Sequence, residues 1–152
     1  MLNIVEYDIV FQEVPTEVSL ALTVAGCPLM CRGCSRADTW KKEKGTPLTD
    51  DFLAGLLESY KGLVSCVLFM GGEWQPSALL SALKQVRHSG LKTALYTGLD
   101  AIPSSLQAEL TYLKTGPWIM ELGGLDTPTT NQRFIDCTNG EVLNHLFWRN
   151  YE

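Results

Sequence analysis

Between Glu17 and Val24 the chain alternates: Val18, Leu20, Leu22 and Val24 share one face, and Ser19, Ala21 and Thr23 the other. A period of two predicts a β-strand, and the small residues opposite predict packing on both sides. Residues 63–70, LVSCVLFM, are apolar apart from Ser65 and stop at Gly71-Gly72. That pattern predicts a strand buried on both faces, as in a parallel sheet. Residues 92–97, KTALYT, ended by Gly98, predict a shorter third strand, and Tyr112–Thr115 a fourth. Helical spacing lies between them. Thr49 or Asp50 caps a stripe of Phe52, Leu53, Leu56, Leu57 and Tyr60 that closes at Gly62. A second helix starts near Pro76 or Ser77, runs through Leu79, Leu80, Leu83 and Val86, and stops at Gly90. A third follows Pro103, with Leu106, Leu110 and Leu113 on one side.

Strands alternating with helices predict right-handed βαβ units and an α/β fold around a mainly parallel sheet. About four such units are too few for an eight-stranded barrel of roughly 250 residues. A doubly wound sheet or a partial, curved barrel remains. Neither a repeat nor a linker is visible, so residues 1–152 read as one domain. The segment after the first strand, Gly71-Gly72-Glu73 after the second, and Thr97-Gly98 after the third all fall at carboxyl ends of strands. In parallel α/β architectures those ends form one rim, where ligands gather.

Composition narrows the function. Of 152 residues 45% are hydrophobic and 19% charged, with 12 Lys and Arg against 17 Asp and Glu, a formal net charge of −5. Disordered, collagen-like and coiled-coil readings are excluded, and an acidic chain is a poor partner for nucleic-acid phosphates. The longest apolar run, Leu63–Met70, is far short of the ~20 residues of a membrane span. The first residues lack a basic signal-peptide region, so a cytoplasmic location is expected. Charge is uneven: residues 31–44 hold Arg32, Arg36, Lys41, Lys42 and Lys44 against Asp38 and Glu43. Such a collar either steers an acidic partner or is a solvated loop.

Cysteine carries the main clue. Three of the five, Cys27, Cys31 and Cys34, lie within eight residues in the spacing C-x3-C-x2-C. An odd, clustered set is unlike a secreted disulfide framework and points to metal or iron–sulfur ligation. Three thiolates this close can hold a cubic cluster whose fourth iron is open to a small molecule. The alternative is a zinc knuckle with a distant fourth ligand, drawn from Cys66, Cys137, His88 or His145. Cys66 lies mid-strand and reads as core.

With these cysteines after a first strand and Gly71-Gly72-Glu73 after the second, the chain resembles the radical S-adenosylmethionine (radical SAM) enzymes. Many of those place an aromatic residue before the third cysteine, where this chain has Gly33. The cysteine-glycine-cysteine ending is similar to one subgroup, the activating proteins of anaerobic ribonucleotide reductase. So are Cys34-Ser35-Arg36-Ala37-Asp38-Thr39-Trp40, Phe69-Met70-Gly71-Gly72-Glu73-Trp74, Tyr96-Thr97-Gly98 and Thr130-Asn131-Gln132-Arg133-Phe134-Ile135. The resemblance implies a partial, open βα barrel with a mainly parallel sheet and a [4Fe–4S] cluster on Cys27, Cys31 and Cys34. It implies S-adenosylmethionine (SAM) on the open iron, with Glu73 accepting hydrogen bonds from its amino group. Gly71 and Gly72 would let backbone approach the ligand at positive φ, and Gly33 and Ser35 would pass close to the adenine. Thr97 is expected either to meet the ribose or methionine carboxylate or to cap a strand end. The implied activity is reductive cleavage of SAM and formation of a glycyl radical on the reductase catalytic subunit, with a flavodoxin-type electron donor. Alternatives are a formate-lyase-type activase, a small-molecule radical SAM catalyst, or a zinc or electron-transfer module without chemistry of its own.

Overall fold

The computed structural model describes residues 1–26 and 45–148. Its centre is one eight-stranded sheet in the order β3-β1-β2-β4-β5-β6-β7-β8. The strands are β1 (Asn3–Val10), β2 (Ser19–Val24), β3 (Thr46–Pro47), β4 (Cys66–Met70), β5 (Lys92–Tyr96), β6 (Tyr112–Thr115), β7 (Arg133–Asp136) and β8 (Glu141–Val142). The helices are α1 (Asp50–Ser59), α2 (Pro76–His88) and α3 (Ser104–Gln107).

The expected open βα barrel with a mainly parallel sheet is corrected here. The sheet is mixed, and four of its seven strand pairings are antiparallel. The reason lies in the connections. Parallel neighbours need a crossover, usually helical, and among the described residues the three α-helices fall in the β2-to-β4, β4-to-β5 and β5-to-β6 connections. β1 and β2 are joined by residues 11–18, and β6 and β7 by residues 116–132, without an α-helix in either. Those pairs therefore run antiparallel.

Local chemistry explains the elements that match expectation. Thr49 Oγ1 accepts the Phe52 N–H at 3.0 Å and caps α1, whose Leu53 and Leu56 are buried. Pro76 opens α2, where a missing N–H costs nothing, and Leu79, Ala82, Leu83 and Val86 form its buried stripe. The third helix is one turn instead of a long stripe. Leu106 is on α3, but Leu110 lies beyond it and Leu113 is a strand residue. All three are nonetheless buried.

The two faces of the sheet differ. Leu20, Leu22, Val24, Val67, Phe69, Leu95 and Leu113 pack with the helices in the larger core. Ala21, Cys66, Leu68, Ala94, Tyr112 and Phe134 face the other way, against Val14 and Leu125 from the two helix-free connections. Every residue of β2 is buried. Among the described residues no helix is long and apolar enough to cross a membrane.

Candidate functional site

β4 ends at Met70 and the chain turns through Gly71 and Gly72, at φ 97° and 111°. Both values lie in the region that favours glycine, because a Cβ there meets the backbone. At Gly71 a Cβ would also lie 2.6 Å from the Trp74 ring, and at Gly72 3.3 Å from Leu2 and 3.6 Å from Val24. The turn is thus pressed between Trp74 and the last residue of β2, two residues short of where the described segment ends. It delivers Glu73 to the rim with the residue only 9% exposed.

Thr97 lies just beyond β5 and donates from Oγ1 to Glu73 Oε1 at 2.7 Å. The other oxygen, Oε2, is buried and has no hydrogen-bond partner among the described residues. Burial pushes the Glu73 carboxyl above its ordinary range. The Thr97 bond, the positive field of Lys114, and the backbone of Glu73 and Gly98 pull the other way without cancelling it. A buried carboxylate with one oxygen held and the other unpaired is costly unless a cationic or N–H-bearing group joins it. Thr97 is itself held on all sides. Its N–H donates to Lys114 O at 2.9 Å, and its hydroxyl accepts the Leu99 N–H at 3.1 Å.

Alongside this rim, on the helix-free face, lies a cavity of about 840 Å³, lined among others by Met70, Tyr96, Lys114, Trp118, Gln132 and Phe147. Met70, Tyr96 and Lys114 are paired across β4, β5 and β6, which puts them in one row on one face. Lys114 is 9% exposed, donates to Thr97 O at 3.1 Å and Gly116 O at 3.0 Å, and lies 5.6 Å over the Tyr96 ring. The C-terminal part of the chain closes one wall. Asn144 donates to Gln132 O and accepts the Phe134 N–H, and Phe147 meets Phe134 edge-on at 5.0 Å.

Of the residues singled out in the sequence, Gly71, Gly72, Glu73 and Thr97 are therefore brought together. Cys27, Cys31, Cys34, Gly33 and Ser35 lie outside the described residues, as do Trp40 and the basic residues of 31–44. Cys66 is fully buried, its thiol pushed up to about 12, and Cys137 is half-buried and raised to about 11. Neither behaves as an exposed thiolate ligand. Among the described residues no His, Cys, Asp and Glu cluster forms a metal site. Lys114 and the aromatic cavity wall were not picked out from the sequence. The signal for Lys114 was present: a lysine in the otherwise uncharged strand YLKT.

A family model described as a 4Fe-4S single cluster domain matches residues 17–114. The chain belongs to this family. The matched span of the 4Fe-4S domain takes in the cysteine triplet, Gly71-Gly72-Glu73 and Thr97, and ends on Lys114. It supports an iron–sulfur cofactor rather than zinc, and thiolates are the donor type such a cluster requires. No curated protein matches the chain.

Proposed function

We propose that this 4Fe-4S protein is a radical SAM activase that generates a glycyl radical on the catalytic subunit of an anaerobic ribonucleotide reductase. The observation that carries the reading is the Glu73 carboxylate. It is buried at a double-glycine turn beside the end of β2, and its second oxygen, without a partner among the described residues, suits an ammonium group such as that of SAM.

In this reading Cys27, Cys31 and Cys34 ligate three irons. The chemistry supplied by the bound cluster is one-electron reduction of the SAM sulfonium, giving methionine and a 5′-deoxyadenosyl radical that takes a hydrogen atom from a glycine Cα. The chain's own residues do the positioning. Glu73 Oε2 takes the amino group of the methionine end, while Thr97 keeps Oε1 in place. Gly71 and Gly72 let backbone and ligand approach, Gly33 and Ser35 pass beside the adenine, and the walls around Glu73 keep water from competing for its free oxygen. The basic residues of 31–44 receive an acidic, flavodoxin-type electron donor.

Anaerobic reconstitution tests this. The protein should turn brown, hold about four irons per chain, and release 5′-deoxyadenosine when reduced with SAM. Mixing with the reductase subunit should then give a glycyl radical signal in electron paramagnetic resonance. Iron loading without 5′-deoxyadenosine would reduce the protein to an electron carrier. 5′-Deoxyadenosine without the glycyl signal would move the target to another molecule.

A further inference from the structure

Glu73 and Lys114 are both only 9% exposed, and they stand on either side of Thr97. The ammonium of Lys114 bonds two carbonyls, Thr97 O at 3.1 Å and Gly116 O at 3.0 Å, which belong to the loops leaving β5 and β6. The Lys114 main chain accepts the Thr97 N–H at 2.9 Å. One residue therefore grips Thr97 from both its N–H and its C=O. The Thr97 hydroxyl accepts the Leu99 N–H and donates to Glu73. An uncharged hydrophobic residue would pack against Tyr96 and Phe134 at lower desolvation cost, so the ammonium calls for a role that packing does not supply.

We propose that Lys114 is a positioning residue of this site, which acts through Thr97 to hold the Glu73 carboxylate oriented and charged for an incoming ammonium group. The role of the site rests on the radical SAM reading above; the coupling of Lys114 to Glu73 does not. Among the described residues, the surroundings of Glu73 leave this task to Lys114. The loop after β5 presents Thr97 and Gly98, the turn after β4 presents glycines and Trp74, and β6 presents Lys114, the charged side chain whose field reaches Glu73 among the described residues. Its field favours the carboxylate, and burial opposes it. Lysine thus supplies charge and geometry from one atom.

The test uses the full-length, cluster-loaded, oxidised protein labelled with ¹³Cδ-glutamate, with Glu73→Gln assigning the Glu73 signal. Carboxyl titrations without SAM are compared for the wild type, Lys114→Met and Lys114→Arg, and SAM dissociation constants are measured over the same acid-to-neutral range. In Lys114→Met the Glu73 titration should move to higher pH. The acid limb of SAM affinity should move with it, with affinity falling about tenfold or more, as for groups that orient a ligating side chain. Lys114→Arg should keep most of both. A Glu73 titration unchanged in Lys114→Met overturns the proposal. If the wild type binds no SAM, the functional reading fails, and the titrations still decide the role of Lys114. Should Lys114→Met not fold, Lys114→Gln removes the charge and keeps an N–H donor for the two carbonyls. An upward move of the Glu73 titration there supports the proposal, and no move overturns it.

Discussion

The four parallel strands β2, β4, β5 and β6 carry a glutamate at each end, one half-buried and one buried, and the two are treated in opposite ways. At the amino ends, Glu17 Oε1 accepts from Ser65 at 2.7 Å, and Oε2 accepts from Lys92 at 2.7 Å and Tyr112 at 3.1 Å. Those donors precede or open β4, β5 and β6, so one carboxylate ties three strands together. Burial alone would raise its pKa, but the bonds from Lys92, Ser65 and Tyr112 outweigh it and hold the group below its ordinary 4.5. At the carboxyl ends, Glu73 has one hydrogen-bonded oxygen and one without a partner among the described residues, and its pKa is raised. A carboxylate satisfied within the chain is structural; one left half-satisfied at the rim is kept for something else. The same sheet thus has a closed end and an open end.

The largest effect should come from removing the charge at the open end. Glu73→Gln should weaken SAM binding about a hundredfold, the scale of a charge-assisted hydrogen bond of ~3 kcal/mol. The same change should raise stability near neutral pH by about 1 kcal/mol, because a buried, under-paired charge is gone. The raised pKa of Glu73 means that its contribution to stability is present below the ordinary value and is lost as pH rises through the raised one. A calorimetric scan paired with a binding isotherm checks both directions, and a variant that loses stability would contradict the contrast.

Next is the closed end. Glu17→Ala should destabilise the fold by about 2 kcal/mol, since it removes the acceptor shared by Ser65, Lys92 and Tyr112, and should leave iron content unchanged. In the wild type the contribution of Glu17 is present above pH 4.5 and disappears as pH falls through its lowered value. Urea midpoints against pH should show this acid limb, and Glu17→Ala should lack it.

Gly71→Ala should cost about 1–2 kcal/mol, from an unfavourable positive φ together with the 2.6 Å approach to Trp74. It should weaken SAM binding as well, because the turn that carries Glu73 has to shift. The smallest effect is expected from Lys92→Met, below about 1 kcal/mol and fading with salt. The Lys92 side chain is 51% exposed, and Glu17 keeps its two hydroxyl donors.

Much of the helix-bearing half of the fold was legible. α1, α2, β2, β4 and β5 were signalled by period, cap and glycine stop, because each buries a regular face against the same core. Gly71, Gly72, Glu73 and Thr97 could be placed on one rim from strand ends alone. β1 was not legible. Its exposed middle, Glu6 to Asp8, interrupts the alternation, since the strand lies next to the sheet's edge. β7 and β8 are too short to show a period. Leu106, Leu110 and Leu113 mimic a helical stripe although they divide among a helical turn, a loop and a strand. All three spacings satisfy burial, and burial is what the pattern reports.

Spacing along the chain was enough to point to metal or iron–sulfur ligation: three thiols within eight residues need no folding to be noticed, and the matched 4Fe-4S span favours iron. It was also enough to set which strands would be buried, since burial is written in local hydrophobicity. Strand direction and the pairing of Glu73 with Thr97 and Lys114 were decided only by tertiary structure. Those depend on which connections carry a helix and on contacts between residues 17 to 41 positions apart, and no local pattern encodes a partner at that distance.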